Sequence, residues 1–311
     1  MNNSQGSVGN LAGNGTTKDG LQNTSSSFFT RRSTVSLSGG FGEVRIGRDA
    51  TATFDNDATF DPFVIGSVGA SAIGQAHQNV GGNVNGRSIT DPNYYRASRM
   101  IGYLLPSNLG GFYGQVQYAL SEGVKTSTTK ASKAGRYVGG NLGYENGPFD
   151  VALAYSQSTL RDRFSAGTLS AKTVNLGASY DLDVVELMAE VSQVRYVGFG
   201  TNTKDTGFLI GASMPMGAGQ VKAAYSAVQE KGHFGSSAVT GYAGKPKASV
   251  LALGYTHHLS KRTALYAVAA HTANKNGANL STNNSDGDVG FATIGTPKGA
   301  NGYDFGIRHT F

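Results

Sequence analysis

The chain has 311 residues, with 45 glycines, 15 tyrosines and 15 phenylalanines against 7 prolines, a composition that favours strands and tight turns over helices. Its net charge is +6, but the basic residues are scattered, which argues against nucleic-acid binding, and the absence of cysteine excludes disulfides and thiol chemistry. No run of about 18 apolar residues predicts a membrane helix. No signal peptide is recognisable at the start, so an export signal is expected upstream or already removed.

The first 27 residues are mostly Ser, Gly, Asn and Thr and are predicted to be loop-like. The rest of the chain alternates with the period of two that is typical of strands. For example, the segment 149–156, FDVALAYS, places Phe, Val, Leu and Tyr on one face and Asp, Ala, Ala and Ser on the other. Thirteen such segments are predicted, at 28–38, 42–49, 94–105, 111–121, 135–145, 149–160, 171–181, 184–197, 205–215, 219–230, 247–259, 263–274 and 302–311.

Short and long links alternate between these segments, which predicts an antiparallel up-and-down sheet with its tight turns at one end. A soluble sandwich and a membrane barrel both fit many alternating strands. The apolar faces end in Tyr or Phe, as aromatic girdles do, while Glu186, Glu190 and Lys222 lie mid-strand on the opposite faces, where a wet lumen would accommodate them. The pattern therefore favours an all-β transmembrane barrel.

Alternation continues to the last residue of the chain. Tyr303, Phe305, Ile307 and Phe311 share one face of the final segment, and Asp304, Gly306, Arg308 and Thr310 share the other. A strand this regular at a terminus is not expected to fray.

Several stretches resemble the trimeric general-diffusion porins of Gram-negative outer membranes, especially the anion-selective type of β-proteobacteria. They are RRSTVSLSGGFGEVRIGRD (31–49), GRYVGG (135–140), LGASYDL (176–182), LGYTHHLSKRTALY (253–266) and GIRHTF (306–311). The resemblance covers residues 28–311 and implies a porin barrel. It also implies that the assembly machinery of the outer membrane reads the closing strand, through Tyr303, Phe305, Ile307 and Phe311.

One departure from that family concerns the number of strands. The family has sixteen strands, three of which precede RRSTVSLSG, whereas only the loop-like residues 1–27 precede it here. About 13 strands are therefore visible. An open edge in lipid leaves unpaired backbone groups, so a chain that begins late, through a truncated gene or an internal start codon, is expected, with a smaller closed barrel as the alternative.

The longest link, residues 50–93, corresponds to the family's inward-folded third loop, which narrows the pore. The acidic candidates, in the segment 49–63, are Asp49, Asp55, Asp57 and Asp61. The resemblance places facing arginines at Arg31 or Arg32 and at Arg96, and strand phase adds Arg45 to the inner face. Opposed acidic and basic rows would order polar solutes, and an excess of arginine would favour anions. The alternative is that these are rim charges near loops.

The sequence therefore predicts a passive outer-membrane channel for small hydrophilic solutes and ions that prefers anions. Predicted partners are the lipid bilayer, lipopolysaccharide, the assembly machinery, small anionic solutes and two further copies in a homotrimer. No catalytic group, cofactor or metal site is predicted, since the three loop aspartates lack the spacing of a calcium loop. Alternatives are a substrate-specific channel for a small anion, a truncated non-conducting porin or adhesin, and a soluble β-sandwich.

Overall fold

The computed structural model describes residues 31–64, 67–84, 87–91, 93–121, 133–163, 167–198, 201–233, 245–276, 278, 280–282 and 299–310. The predicted loop-like segment 1–27 and the final Phe311 lie outside these ranges. The helices are α1 (Ala52–Thr59) and α2 (Ala72–Gln78). The strands are β1 (Ser33–Gly39), β2 (Gly42–Ala50), β3 (Asn79–Val84), β4 (Arg87–Thr90), β5 (Arg96–Leu104), β6 (Phe112–Ala119), β7 (Tyr137–Asn146), β8 (Phe149–Arg163), β9 (Gly167–Asp181), β10 (Glu186–Gly198), β11 (Thr201–Met216), β12 (Gly219–His233), β13 (Lys247–His258), β14 (Thr263–Lys275) and β15 (Gly299–His309).

Thirteen of these strands form one antiparallel sheet, which we call the wall. Each wall strand pairs with the next one along the chain, and β3 and β4 form a separate hairpin between β2 and β5. Within the described residues, β1 pairs with β2 alone and β15 with β14 alone, so these strands are the edges of the sheet. The predicted all-β, up-and-down topology is confirmed.

Several wall strands extend beyond the ends that the sequence predicts. The ladder between β8 and β9 continues to the pair Arg163 and Gly167, and the ladder between β10 and β11 continues to Gly198 and Thr201. The predicted loops at 161–170 and 198–204 are therefore largely strand. Backbone pairing requires no apolar side chain, so a ladder can extend where the hydrophobic alternation has already faded.

The two faces of the wall differ in side-chain size and exposure. On the outer face large apolar groups are open to the surroundings, as in Leu153 at 52%, Val191 at 54% and Ile210 at 56% exposure. The inner face is made of small or polar groups, and Ala154 and Asn175 are both 1% exposed. The predicted alternation is thus present, with the large apolar groups outside.

The inner face is covered by the link between β2 and β5, residues 51–95, which we call the constriction loop. Helix α1 packs against β7, β8 and β9, and helix α2 packs against β11, β12 and β13. One loop can contact so many successive strands only when the sheet curves around it. The two helices and the β3–β4 hairpin were not predicted, because each is too short to establish a periodic pattern. Among the described residues, no helix has both the length and the hydropathy needed to cross a bilayer.

Candidate pore constriction

The constriction loop is closed at its base, where its two ends meet. The Thr51 amide donates to the Tyr95 carbonyl at 3.2 Å, and the Thr51 hydroxyl donates to the Tyr94 carbonyl at 2.6 Å. Both Thr51 and Tyr94 are buried, so these bonds are shielded from competing water. The loop therefore leaves and rejoins the wall at one fixed place.

Helix α1 is held to the wall by polar side chains of β6, β8 and β9. The Ala52 amide donates to Gln117 Oε1 at 2.8 Å, which satisfies one of the free N–H groups in the first turn of the helix. Asn175 donates through Nδ2 to the Thr53 carbonyl at 2.9 Å. Farther along, Asn56 donates through Nδ2 to Asn175 Oδ1 at 3.2 Å.

Apolar side chains of the loop pack directly on glycines of the wall. A methyl group added to Gly211 would stand 2.6 Å from Pro62 Cγ, closer than two carbon atoms can approach. The same close approach recurs along the wall, at Gly177 under Phe60, Gly254 under Phe63 and Gly207 under Ile73. Close packing at these glycines fixes how far the loop projects into the lumen.

Helix α2 packs apolar side chains against the inner face of the wall at β11, β12 and β13. The Ala72 amide donates to Ser226 Oγ of β12 at 2.8 Å. Ala72 and Ala76 then pack with Val228, Val250 and other apolar residues of the inner face. This part of the interior is therefore packed, whereas the predicted arginines are located toward β1, β2 and β5.

The structure brings Arg32 and Arg45 together through Asp49. Arg32 Nε donates to Asp49 Oδ1 at 2.7 Å, and Arg45 Nη1 donates to Asp49 Oδ2 at 2.7 Å. Arg45 also forms a two-bond pair with Glu43, at 2.9 Å for each bond. Arg32 is 61% exposed and Arg45 is 16% exposed, so Arg32 reaches farther toward solvent.

Arg96 and Arg31 belong to the same neighbourhood. The Arg96 guanidinium lies 5.8 Å from the ring centre of Phe54 on α1, which is a cation–π contact. Arg31, Asp49 and Asp55 are the charged side chains whose fields act on Arg96. The basic residues named from the sequence therefore cluster where the constriction loop meets the wall.

Asp49 does not lie where the sequence predicted. It is the penultimate residue of β2, on the same side as the arginines, and not in the loop that was expected to face them. A β-bulge between Gly47 and Asp49 turns this end of the strand, and Gly47 adopts a φ of 141°, which favours glycine. Asp49 therefore neutralises arginines on its own side and is not part of an opposing row.

Asp55 is the loop carboxylate that faces the arginine cluster. It accepts a hydrogen bond from Gln115 Nε2 at 2.9 Å and is partly buried. Burial raises its pKa, and the nearby Arg32 and Arg45 oppose that rise. The role of Asp55 at the constriction stays a prediction.

Asp57 and Asp61 are turned toward the wall instead. Asp57 accepts a hydrogen bond from Tyr94 Oη at 2.5 Å, is also bonded by Asn175, and lies close to the carboxyl of Glu190 of β10. Burial raises the pKa of Asp57. Asp61 accepts from the Phe63 amide at 2.8 Å, and burial raises its pKa to about 7. Both carboxyls are under 10% exposed, so they anchor the loop and do not face the passage.

Two basic residues of the interior were not among the predicted site residues. Lys222 of β12 donates through Nζ to the Pro62 carbonyl at 2.9 Å, and Arg308 of β15 is among the charges that act on it. The signal was present in the sequence, because both lie on the polar face of an alternating strand. Nothing in a strand pattern, however, shows that Lys222 reaches the loop.

His77, on α2, is fully buried, and burial lowers its pKa to about 3, so its imidazole is neutral. Its Nδ1 lies 3.4 Å from Ser192 Oγ. No group of three or more His, Asp or Glu side chains in the described ranges is arranged to hold a metal ion.

The residues predicted as an assembly signal lie on the edge strand β15. Tyr303, Phe305 and Ile307 are 76%, 84% and 68% exposed on its outer face. The fourth, Phe311, is outside the described residues. Their role as a signal stays a prediction.

An up-and-down antiparallel wall with large apolar groups outside, small and polar groups inside and a loop folded against its inner face defines a membrane channel of the β-barrel class. Comparison with known proteins identifies its family. Residues 5–277 match the model of the Gram-negative porin family, and the chain belongs to that family. It is therefore an outer-membrane porin, and the predicted membrane barrel is confirmed.

Comparisons with individual proteins are consistent with this family assignment. The chain is 35% identical over 293 residues to outer membrane porin protein 32 of Delftia acidovorans, a match that covers 93% of this chain and 76% of that protein. Among solved structures it is similar to the anion-selective porin from Comamonas acidovorans, with a TM-score of 0.70, 34% identity, and coverage of 90% and 78% of the two chains. The trimer form of OmpT from Vibrio cholerae shares the fold, with a TM-score of 0.59, 11% identity, and coverage of 90% and 80%.

Proposed function

We propose that this porin is a diffusion channel that prefers small anions. The observation that carries the proposal is the charge balance of the cluster at the mouth of the constriction loop. Four arginines, Arg31, Arg32, Arg45 and Arg96, lie in this cluster with three carboxylates, those of Glu43, Asp49 and Asp55. Positive charge is therefore in excess.

Guanidinium groups suit this role because they stay charged at every physiological pH and bind anions with weakly hydrated, directional donors. A narrow place lined by basic side chains raises the local concentration of anions and lowers that of cations. The similar solved porin from Comamonas acidovorans is described as anion-selective, which supports the same preference here. Permeation of this kind needs no cofactor and no reaction.

Reversal potential across a planar bilayer under a salt gradient tests the proposal. The variants are Arg32→Gln and Arg96→Gln, which remove the charge but keep a polar side chain. We expect each to shift the reversal potential toward cation preference. Arg262→Gln, in the tight turn between β13 and β14, is the matched control and should leave selectivity unchanged. An unchanged reversal potential in both pore variants would refute the filter assignment.

We also propose that the channel assembles as a homotrimer. Val35 on β1 and Phe305 on β15 are 80% and 84% exposed, so both edge strands present large apolar groups. A porin with this fold is known in a trimer form. Unheated samples should migrate in detergent gels at three times the mass of heated ones, and a single-copy mass in mild detergent would overturn the proposal.

The assembly machinery and lipopolysaccharide remain proposed partners. For the machinery, the exposed row of Tyr303, Phe305 and Ile307 supports recognition of β15. Deleting Phe311, which the sequence predicts as part of that signal, should reduce the amount of porin in purified outer membranes. A deletion that leaves this amount unchanged would contradict the role.

A further inference from the structure

Two glutamines of β6 form a hydrogen-bonded chain between the base of the constriction loop and Asp55. Gln117 accepts through Oε1 from the Ala52 amide at 2.8 Å and donates through Nε2 to the Ala50 carbonyl at 3.0 Å. The same Nε2 donates to Gln115 Oε1 at 2.9 Å, and Gln115 Nε2 donates to Asp55 Oδ2 at 2.9 Å. Both glutamines lie on the inner face of β6, because they are two residues apart on the strand.

The backbone of the loop fixes the orientation of both side-chain amides. A backbone N–H can only donate, and a backbone carbonyl can only accept. The Ala52 amide therefore requires the oxygen of Gln117, and the Ala50 carbonyl requires its nitrogen. Because that nitrogen also donates to Gln115, the oxygen of Gln115 is used as an acceptor and its nitrogen is left facing Asp55. A flipped amide at either position would place two donors or two acceptors against each other.

Asp55 is bonded by this neutral amide, whereas the other two carboxylates of the cluster are paired with arginines. Glu43 accepts from Arg45 at 2.9 Å, and Asp49 accepts from Arg32 at 2.7 Å. Among the described ion pairs, none includes Asp55. An N–H group directed at a carboxyl favours the ionised form, which is the stronger acceptor. Gln115 therefore does for Asp55 what the arginines do for the other two.

The charges around Asp55 act in both directions. Arg32 and Arg45 favour its ionised form, Asp49 opposes it, and Asp55 in turn acts on Arg96 of β5. Burial raises the pKa of Asp55, and the hydrogen bond from Gln115 is the largest influence that lowers it, ahead of either arginine. The strands beside α1 contact this helix through uncharged side chains, namely Tyr137 of β7, Ser156 of β8 and Asn175 of β9.

We propose that Gln115 is a positioning residue that keeps Asp55 ionised and thereby determines the pH at which the anion preference of the pore changes. When Asp55 is protonated it carries no charge, so the nearby arginines are less compensated and the preference for anions is stronger. Ionisation of Asp55 with rising pH adds a negative charge beside the same arginines and weakens that preference. The inference rests on the proposed function, because it takes the cluster around Arg32 and Arg45 as the place where the pore selects ions.

Reversal potential of the full chain in a planar bilayer, measured under a salt gradient from about pH 3 to about pH 9, tests this role. In the wild type, the anion-to-cation permeability ratio should fall as Asp55 ionises. Gln115→Met keeps the length of the side chain but removes the donor, so we expect the midpoint of this fall to lie about one pH unit higher. Gln220→Met, on the inner face of β12, is the matched control and should keep the midpoint of the wild type.

Asp55→Asn separates this role from a merely structural one. It should abolish the transition, and adding Gln115→Met to it should have no further effect on the pH dependence. A displaced loop would instead change the conductance at every pH without moving the midpoint. Gln115→Asn, whose amide is one methylene too short to reach the carboxyl, should raise the midpoint as well and serves if Gln115→Met does not fold. Heat-dependent mobility in gels verifies folding.

An unchanged midpoint in a folded Gln115 variant would overturn the proposal, as would a transition that persists in Asp55→Asn. A wild type without anion preference at any pH would refute the proposed function itself. That result differs from an anion-selective wild type whose midpoint does not depend on Gln115, so the two failures can be told apart.

Discussion

Phe60, at the end of α1, packs directly onto Gly177 of β9, so that even a methyl group on this glycine would overlap the phenyl ring. The Phe60 side chain is fully buried. The position of the constriction loop thus depends on a residue of the wall having no side chain.

Gly177→Ala should therefore lift the C-terminal end of α1 from the wall. We expect a loss of about 1–3 kcal/mol in the free energy of unfolding, because overpacking forces neighbouring groups to move. Single-channel conductance should change as well. Gly102→Ala is the control, since its methyl group would lie 3.6 Å from Gln117 Cγ, an ordinary contact. If Gly177→Ala and Gly102→Ala change the free energy of unfolding and the conductance equally, the contact between Phe60 and Gly177 does not position the loop.

Asp49→Asn should increase the preference for anions. Asn keeps the acceptor for the Ala50 amide but removes the negative charge that neutralises Arg32 and Arg45. An uncompensated charge near water changes the energy of a passing ion by about 1 kcal/mol, so we expect the anion-to-cation permeability ratio to rise about fivefold. Asp183→Asn, in the turn between β9 and β10, should leave the ratio as it is. A fall in the ratio for Asp49→Asn would contradict the assignment of these arginines to the passage.

Asp61→Asn should remove part of the pH dependence of stability. Burial raises the pKa of Asp61 from its ordinary value of 3.8 to about 7 in the folded protein, so between these pH values the folded state holds a proton that the unfolded state has lost. Stability therefore falls as pH rises from about 4 to about 7 and is constant above that. We expect Asp61→Asn to be more stable than the wild type at pH 8, with little difference at pH 4. The test is to measure the unfolding midpoints of the wild type, Asp61→Asn and the control Asp183→Asn from pH 4 to pH 8. If the midpoint of Asp61→Asn changes with pH in the same way as that of the wild type, the prediction is wrong.

Asp205→Asn should stabilise the fold. Asp205 and Glu230 are register partners on the inner face of β11 and β12, and neither oxygen of Asp205 has a hydrogen-bond partner among the described residues. A buried carboxyl without partners beside a second carboxyl is costly in free energy, about 1–3 kcal/mol. The free energy of unfolding in denaturant should rise by an amount of that order. A lower value than that of the wild type would indicate that the pair is satisfied by a group outside the described residues.

The sequence by itself determined the strands of the wall and the direction in which their side chains point. The period of two is local, since each residue's face follows from that of its neighbour, so segments such as 149–160 and 171–181 could be assigned before any contact was known. The same alternation correctly placed large apolar groups on the outer face and small ones on the inner face, as Leu153 and Ala154 show. Membership of the porin family was likewise visible in stretches of consecutive residues.

Only the tertiary structure decided which charges meet. Asp49, Asp55, Asp57 and Asp61 are alike in sequence, yet one pairs with arginines of its own side, one faces them and two are buried against the wall. Short helices without a periodic signal orient the loop carboxylates, and wall glycines far away in the chain set the depth of the loop. Contacts of this kind join residues distant in sequence, and a pattern that repeats every two residues carries no information about them.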